Sequence, residues 1–179
     1  GQYDKPVPVF WATGACMLVR SKIYKELGGL DERFFAHMEE IDLCWRIKIA
    51  GYQIFVIPQA VIYHVGGGTL PKNNPRKTYL NFRNNLIIMY RNMGSMEKLY
   101  KISFRFFLDF LSLLLFVKNK EYKNAAAVSR AHRHFLKHIF KWRREMPGGQ
   151  KDTKLQGKMP ISVVWQFFVK GRKTFSELH

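Results

Sequence analysis

Apolar positions in the first part of the chain come in short runs separated by glycine and proline. Residues 9–20 are predicted to form a strand or a strand-like run. A short helix is predicted next, with Ser21 as its N-cap and the two glycines after Leu27 as its stop. In residues 39–52 apolar side chains recur at the helical spacing i, i+4, i+7, which predicts an amphipathic helix ending at Gly51. Its predicted stripe consists of Leu43, Ile47 and Ala50.

Two nearly continuous apolar runs follow this helix. Residues 52–58 end at a proline and residues 60–65 end at three glycines, so each run is predicted to be a buried strand. Helices that alternate with wholly apolar strands are typical of sheets covered on both faces. The pattern therefore favours an α/β fold over an antiparallel sandwich.

After residue 74 the pattern changes to long helices. Residues 77–93 carry one apolar stripe, and a Gly-Ser pair at 94–95 interrupts it. The segment 96–117 is the most apolar part of the chain, but its longest run without a charge is eight residues. Because a membrane span needs roughly 20 mainly apolar residues, we expect this segment to pack on its neighbours or to lie in a membrane interface. The stripe of the first helix is predicted to consist of Tyr79, Phe82, Leu86 and Met89.

Residues 121–144 predict a helix with two distinct faces. Residues 147–159 have the composition of a flexible linker. Residues 160–179 then predict a short basic amphipathic helix with Ser162 as a candidate N-cap. The apolar face of the helix at 121–144 is predicted to contain Val128, His132, Phe135, Ile139 and Trp142. Its basic face is predicted to contain Lys123, Arg130, Arg133, Lys137, Lys141 and Arg144.

The charge of the chain is unevenly distributed. The 179 residues have a net charge of +17, yet residues 1–65 carry seven basic and seven acidic side chains. The whole excess therefore lies in the second part, which is expected to face an anionic partner, either nucleic acid or a phospholipid surface. Cys16 and Cys44 lie among apolar residues and outside any Cys-x-x-C motif. Both are predicted to be buried and reduced, as in a cytosolic protein, with a catalytic thiol as the alternative.

The segment HMEEIDLCWR, residues 37–46, concentrates carboxylates in a basic protein. At the start of a helix they interact favourably with the helix dipole, by roughly 0.3–1 kcal/mol each. Asp42 and Arg46 are spaced for an i, i+4 ion pair. Glu39 and Glu40 also suit a general base, because like charges and partial burial raise a carboxyl pKa. His64 ends an apolar run and suits either a metal or phosphate ligand or a hydrogen-bonded core histidine.

Together these elements resemble a known family. The order GACMLVR…GGLDERFFAHMEEIDLCWRIKIAGYQIFVIPQAVIYHVGGGT is similar to the C-terminal half of the catalytic domain of family 2 glycosyltransferases, which have the GT-A fold. More narrowly, it resembles bacterial rhamnosyltransferase-like members that build surface polysaccharides. The resemblance covers about residues 8–70. It implies an α/β fold, in which residues 1–70 form the C-terminal part of a Rossmann-like GT-A domain. Residues 71–146 would then be a basic, membrane-associating helical extension.

The resemblance also implies roles for individual residues. Glu40 matches the base that deprotonates the acceptor hydroxyl in an inverting transfer, and Glu39 is the alternative base. Asp42 and Arg46 match positions that are structural or orient the acceptor. The remaining matches are Trp11 and Gly14, in the loop lining the sugar and acceptor pocket, and His64, which completes the metal site in some relatives.

An Asp-x-Asp motif, which these enzymes use to hold a divalent metal and the nucleotide-sugar, is absent from the sequence. The chain begins at Gly1 without a methionine, and we expect it to be the C-terminal portion of a longer enzyme and inactive alone. Mg²⁺ or Mn²⁺ would then be bound mostly by the missing half. The expected partners are a nucleotide-sugar donor, a glycan or lipid-linked acceptor, and the anionic inner face of a bacterial plasma membrane. The alternatives are a basic nucleic-acid-binding module and a non-catalytic membrane-associating module.

Overall fold

The computed structural model describes residues 4–64, 74–143, 155, 157–158, 163–174 and 177. These residues form a small two-stranded sheet with two short helices, followed by three long helices and a terminal short one. The strands are β1 (Val7–Val9) and β2 (Ile54–Val56). The helices are α1 (Ser21–Glu26), α2 (Glu39–Ile49), α3 (Pro75–Asn92), α4 (Ser95–Lys118), α5 (Tyr122–Lys137) and α6 (Val163–Phe168). Two 3₁₀ turns lie at Glu32–Phe34 and Ile139–Trp142.

The sheet differs from the prediction. β1 and β2 pair antiparallel, with Val7 opposite Val56 and Val9 opposite Ile54. Phe55 is 47% exposed, so β2 is not a buried strand, and residues 60–64 form no strand. The strand-like run at 9–20 is also irregular beyond Val9. A strand persists only where its backbone groups find a partner, and in the described part of the chain each strand has one neighbour. The Rossmann-like sheet is therefore not found among the described residues, and the GT-A fold stays a prediction.

The predicted helix ends are largely confirmed, whereas two burial predictions are wrong. α1 begins at Ser21, which is its first helical residue and not its cap, and it stops before Gly28 as expected. α2 is followed by Gly51, whose φ of 86° favours glycine. However, α2 is buried on all sides and is not amphipathic. Its buried residues run without a break over 42–48. Cys44 is buried as predicted, but Cys16 is exposed.

One hydrophobic cluster connects the two parts of the chain. Phe34 and Trp45, from the first part, pack with residues of α3 and α5 in a single core. The hydrophobic core is therefore shared by the residues on both sides of the domain boundary predicted near residue 70. The buried members of this cluster are Phe34, Trp45, Leu86, Ile87, Ile88, Phe135 and Trp142.

The long helices pack as a three-helix layer, in which α3 contacts α4 and α5, and α4 contacts α5. The apolar stripe of α5 is confirmed for Val128 and Phe135, and Trp142 is buried in the 3₁₀ turn that follows. Of the stripe predicted for α3, Leu86 is buried and Tyr79, Phe82 and Met89 are half-buried, while α3 also buries polar residues that the sequence analysis did not predict. Among the described residues, no helix combines the length and hydropathy that crossing a bilayer requires. Val65 and the three glycines after it, the segment 144–154, and Ser162 lie outside the described residues.

Candidate active site

An open cavity of about 610 Å³ lies at the N-terminus of α2. Glu39 and Glu40 occupy the first turn of the helix and reach the cavity wall. His64 lines the same cavity, although residues 60–64 do not form the strand that was predicted to position it. The structure thus brings together four of the predicted site residues, because Gly14 lines the cavity as well. The other lining residues are Thr13, Gly14, Ala15, Met17, Leu18, Val19, Tyr24 and Leu30.

The two glutamates have unused hydrogen-bonding capacity. Oε2 of Glu39 and Oε2 of Glu40 are both buried and accept no hydrogen bond within the described part of the chain. Burial raises the pKa of Glu39, and the adjacent Glu40 carboxylate adds to this increase. A half-buried carboxylate with a raised pKa and a free lone pair can take a proton from a hydroxyl group placed in the cavity.

The loop before α2 has a strained backbone. Phe35, His37 and Met38 have φ values of 68°, 67° and 80°, a left-handed region that side chains with a Cβ rarely adopt. Each such residue costs of order 1–3 kcal/mol and persists only where its surroundings hold it. Because Met38 directly precedes Glu39, this loop determines where α2 begins and which way the carboxylates of its first turn face.

Two adjacent side chains of α3 hold the strained loop. The Asn84 side-chain amide donates to the carbonyl oxygens of Phe34 (3.0 Å), Ala36 (2.9 Å) and His37 (2.7 Å). The Arg83 guanidinium donates to the carbonyl oxygens of Arg33 and Phe34, each at 2.9 Å. It also donates to the Asn84 side-chain oxygen at 2.8 Å. Both side chains are buried, so the helical part of the chain fixes the geometry of the candidate site.

The sequence analysis did not predict these hydrogen bonds between α3 and the loop, because it assigned residues 71–146 to a separate membrane-associating extension. A signal was present in the sequence, since Arg83 and Asn84 interrupt the apolar pattern of α3 at positions where a core stripe would continue. Buried polar side chains are normally paired, so such an interruption indicates a polar partner from another element.

Asp42 and Arg46 form a buried network away from the cavity. They are 0% and 5% exposed and are joined by an ion pair of 2.9 Å. The Arg46 guanidinium also donates to the carbonyl oxygens of Leu27 (2.5 Å) and Gly29 (2.6 Å), and so ties the end of α1 to α2. Asn92 of α3 donates to Asp42 at 3.2 Å. Of the two roles predicted for this pair, the structure therefore favours the structural one over contact with an acceptor.

A second polar cluster attaches α3 to the 3₁₀ turn. Asp31 accepts hydrogen bonds from Arg33 (2.6 Å) and from Arg91 of α3 (2.7 Å). Burial alone would raise the pKa of Asp31, but the hydrogen bonds from the two arginines outweigh it and hold the pKa well below its usual range. Asp31 is therefore ionised and paired at neutral pH.

The remaining predicted site residues are placed as follows. Gly14 faces the first turn of α2, where an added Cβ would lie 3.7 Å from Cβ of Glu40. Trp11 is 46% exposed and does not line the cavity. The Cys44 thiol accepts a hydrogen bond from the backbone N–H of Ala12 at 3.5 Å, and burial raises its pKa. A raised pKa disfavours the thiolate, which argues against Cys44 as a nucleophile.

The described residues do not complete a metal site. Glu39, Glu40 and His64 share the cavity, but within the described ranges no three His, Cys, Asp or Glu side chains are arranged to hold an ion. The sequence also lacks the Asp-x-Asp motif. The donors among the described residues therefore do not fit a resident Mg²⁺ or Mn²⁺ by themselves, and metal binding by His64 stays a prediction.

Part of the chain is similar to curated glycosyltransferases. It is 42% identical over 57 residues to the N-acetylglucosaminyl-diphospho-decaprenol L-rhamnosyltransferase of Mycobacterium tuberculosis, covering 32% of this chain and 19% of that protein. It is 38% identical over 50 residues to rhamnosyltransferase WbbL of Escherichia coli, covering 28% and 19%. It is 39% identical over 41 residues to the low-salt glycan biosynthesis hexosyltransferase Agl10 of Haloferax volcanii, covering 23% and 13%.

The matches span less than a fifth of the length of each of these relatives. No protein-family model and no solved structure matches the chain. The glycosyltransferase resemblance is thus confirmed for about a third of the chain or less.

Proposed function

We propose that this chain provides the acceptor side of a family 2 glycosyltransferase that transfers a sugar from a nucleotide-sugar donor with inversion. The observation that carries the proposal is a pair of buried carboxylate oxygens, of Glu39 and Glu40, that lie on an open cavity and have no hydrogen-bond partner among the described residues. The similarity to proteins named rhamnosyltransferases and hexosyltransferases supports the reaction class.

In the proposed reaction, a carboxylate at the start of α2 accepts the proton of the acceptor hydroxyl group. The hydroxyl oxygen forms a bond to the anomeric carbon of the donor sugar, from the side opposite the leaving group. The bond between that carbon and the diphosphate oxygen breaks, and the nucleoside diphosphate leaves with the electron pair. Glu40 is our first choice as the base because it matches the family position, and Glu39, whose pKa is raised, is the second.

The substrates follow from the same similarity. We propose that the acceptor is a glycan or a lipid-linked sugar diphosphate, as the name of the mycobacterial relative states for that enzyme. Rhamnose is the proposed donor sugar, since two of the relatives are named for it. A divalent metal would be held mainly by residues outside this chain, so no step above is assigned to it.

The test uses the longest reading frame that contains this segment. Transfer of labelled sugar from a nucleotide-sugar to a polyprenyl-diphosphate-linked acceptor is measured for Glu40→Gln, Glu39→Gln and the exposed control Glu26→Gln. Loss of a general base lowers kcat by roughly 10²–10⁴-fold. We expect that loss for Glu40→Gln, a smaller one for Glu39→Gln and none for Glu26→Gln. Wild-type rates in both cavity variants would refute the assignment, and no transfer by the wild type would refute the proposed function.

A further inference from the structure

Helix α4 has the reverse of the usual arrangement of a surface helix. Its one buried residue is Asp109, whereas ten large apolar side chains along it are exposed. Asp109 is held inside by Arg105 of the same helix at 2.6 Å and by His132 of α5 at 2.8 Å. The exposed apolar residues are Met96, Leu99, Tyr100, Phe104, Phe107, Phe110, Leu111, Leu114, Leu115 and Val117.

These ten side chains form one continuous face. At 100° per residue, they fall within an arc of about 160°, and Asp109 and Arg105 lie on the opposite side. Over its 24 residues α4 is about 36 Å long, so the face runs along the whole helix. Exposed apolar patches of this extent mark an interaction surface. The contact between Asp109 and His132 of α5 holds α4 in this orientation, so the face cannot turn inward without breaking it.

The helical layer that carries this face has a strong excess of positive charge. Residues 74–143 carry 15 Lys or Arg and three Asp or Glu. Each of the three acids is already engaged: Glu97 by Lys101, Asp109 as described, and Glu121 by the Asn124 amide at 2.6 Å. An anionic surface approaching the helical layer would therefore meet many basic groups and no free carboxylate from these residues.

The sequence assigned membrane association to residues 71–146 as a whole, and the structure excludes the apolar stripe of α5 from that role. Val128 and Phe135 are 1% exposed because they pack in the core. The exposed face of α5 is mainly basic and carries only two large apolar side chains, Tyr122 and Leu136, so it offers far less to insert than α4 does. The exposed basic residues of α5 are Lys123, Arg130, Arg133 and Lys137.

We propose that the outward face of α4 docks on the surface of a lipid bilayer that contains anionic lipids. The apolar side chains enter the boundary between headgroups and acyl chains, and the basic residues of the helical layer attract the anionic headgroups. A second copy of the chain is a poorer occupant, because two strongly basic layers would repel each other. Nucleic acid would match the charge but not a face of ten apolar side chains.

The test measures flotation of the protein with vesicles of equal parts phosphatidylcholine and phosphatidylglycerol. Phe107→Gln/Leu114→Gln changes two side chains at the centre of the face, which are 56% and 47% exposed, without altering the charge. The matched control is Val61→Gln/Tyr63→Gln, at positions that are 70% and 98% exposed. We expect the partition coefficient to fall by about tenfold or more for the α4 variant and to stay unchanged for the control.

Salt separates the two contributions. Raising ionic strength should weaken binding of the wild type but not abolish it, since insertion of apolar groups is not screened. Far-UV circular dichroism and the urea midpoint verify that each variant folds. If the double variant does not fold, the single variant Leu114→Gln replaces it in the assay. Failure of the wild type to float, or equal flotation of wild type and α4 variant, overturns the proposal. The proposal is also overturned if sedimentation shows a wild-type dimer that the α4 substitutions dissociate and that added vesicles leave intact. None of these outcomes depends on glycosyl transfer.

Discussion

Replacement of Asn84 tests the idea that α3 holds the strained loop in front of the two glutamates. Asn84 is 0% exposed, and its amide donates to three backbone carbonyl oxygens of that loop. The loop contains three residues with positive φ, and nothing in its local sequence favours that conformation. If these hydrogen bonds hold the loop, their loss should be felt throughout the core, because Phe34 lies in the same cluster.

The magnitude follows from the number of hydrogen bonds. A typical intramolecular hydrogen bond contributes roughly 0.5–1.5 kcal/mol net, and a buried group left without a partner costs about 1–3 kcal/mol. Asn84→Ala should therefore lower the free energy of unfolding by about 2–4 kcal/mol. Asn84→Asp keeps the shape but replaces the donor by a carboxylate oxygen that faces carbonyl oxygens. We expect it to cost at least as much as the alanine variant.

The assay is urea unfolding at pH 7, followed by tryptophan fluorescence and circular dichroism. Asn85→Ala is the matched control, because Asn85 is half-buried on the same helix and its amide donates to no described residue. Losses below about 0.5 kcal/mol for both Asn84 variants would refute the reasoning, as would an aspartate variant as stable as the wild type.

Two further predictions concern the buried charges. Asp31→Asn should lower stability at neutral pH. The ionised Asp31 carboxylate stabilises the folded state fully above its ordinary pKa of 3.8, and this stabilisation is lost as the pH falls through the lowered pKa of the folded state. The difference in urea midpoint between the wild type and Asp31→Asn should therefore narrow in acid. A difference that stays constant from neutral to acid pH would contradict this prediction. Arg46→Ala leaves the Asp42 carboxylate buried without its main partner and should cost about 3–5 kcal/mol of unfolding free energy. Lys22→Ala, in an exposed ion pair, should change it by less than about 1 kcal/mol, and equal effects of these two variants would count against the buried network.

Local signals in the sequence predicted local structure well. Glycines after α1 and α2 and the Gly-Ser pair before α4 mark helix ends because glycine adopts the conformations that helix termini need. The i, i+4 spacing of Asp42 and Arg46 predicted an ion pair, which the structure contains. The first turn of α2 is acidic as predicted and lines a cavity, whereas a catalytic role for its carboxylates stays a prediction.

Predictions that depended on distant partners were less successful. The apolar run at 60–65 was predicted to be a strand, but its described part, 60–64, forms none, because a strand requires a neighbour that sequence pattern cannot supply. The polar side chains that α3 buries were not predicted, since their partner is a loop about 50 residues away in sequence. The apolar stripe of α5 was predicted, but the sequence did not show that it packs in the core or that α4, the most apolar helix, carries an exposed apolar face.

The sequence by itself determined where helices begin and end, where the charge lies, and that two adjacent carboxylates open a helix. These are properties of neighbouring residues, because capping, dipole interactions and backbone preferences act over a few positions. Only the tertiary structure decided that α3 holds the loop before Glu39 by hydrogen bonds, that Asp42 and Arg46 face inward, and that the apolar side of α4 faces outward. Each of these features depends on which distant group lies beside a side chain. A buried polar group without a partner costs free energy, and the sequence around that group does not show whether a partner is present.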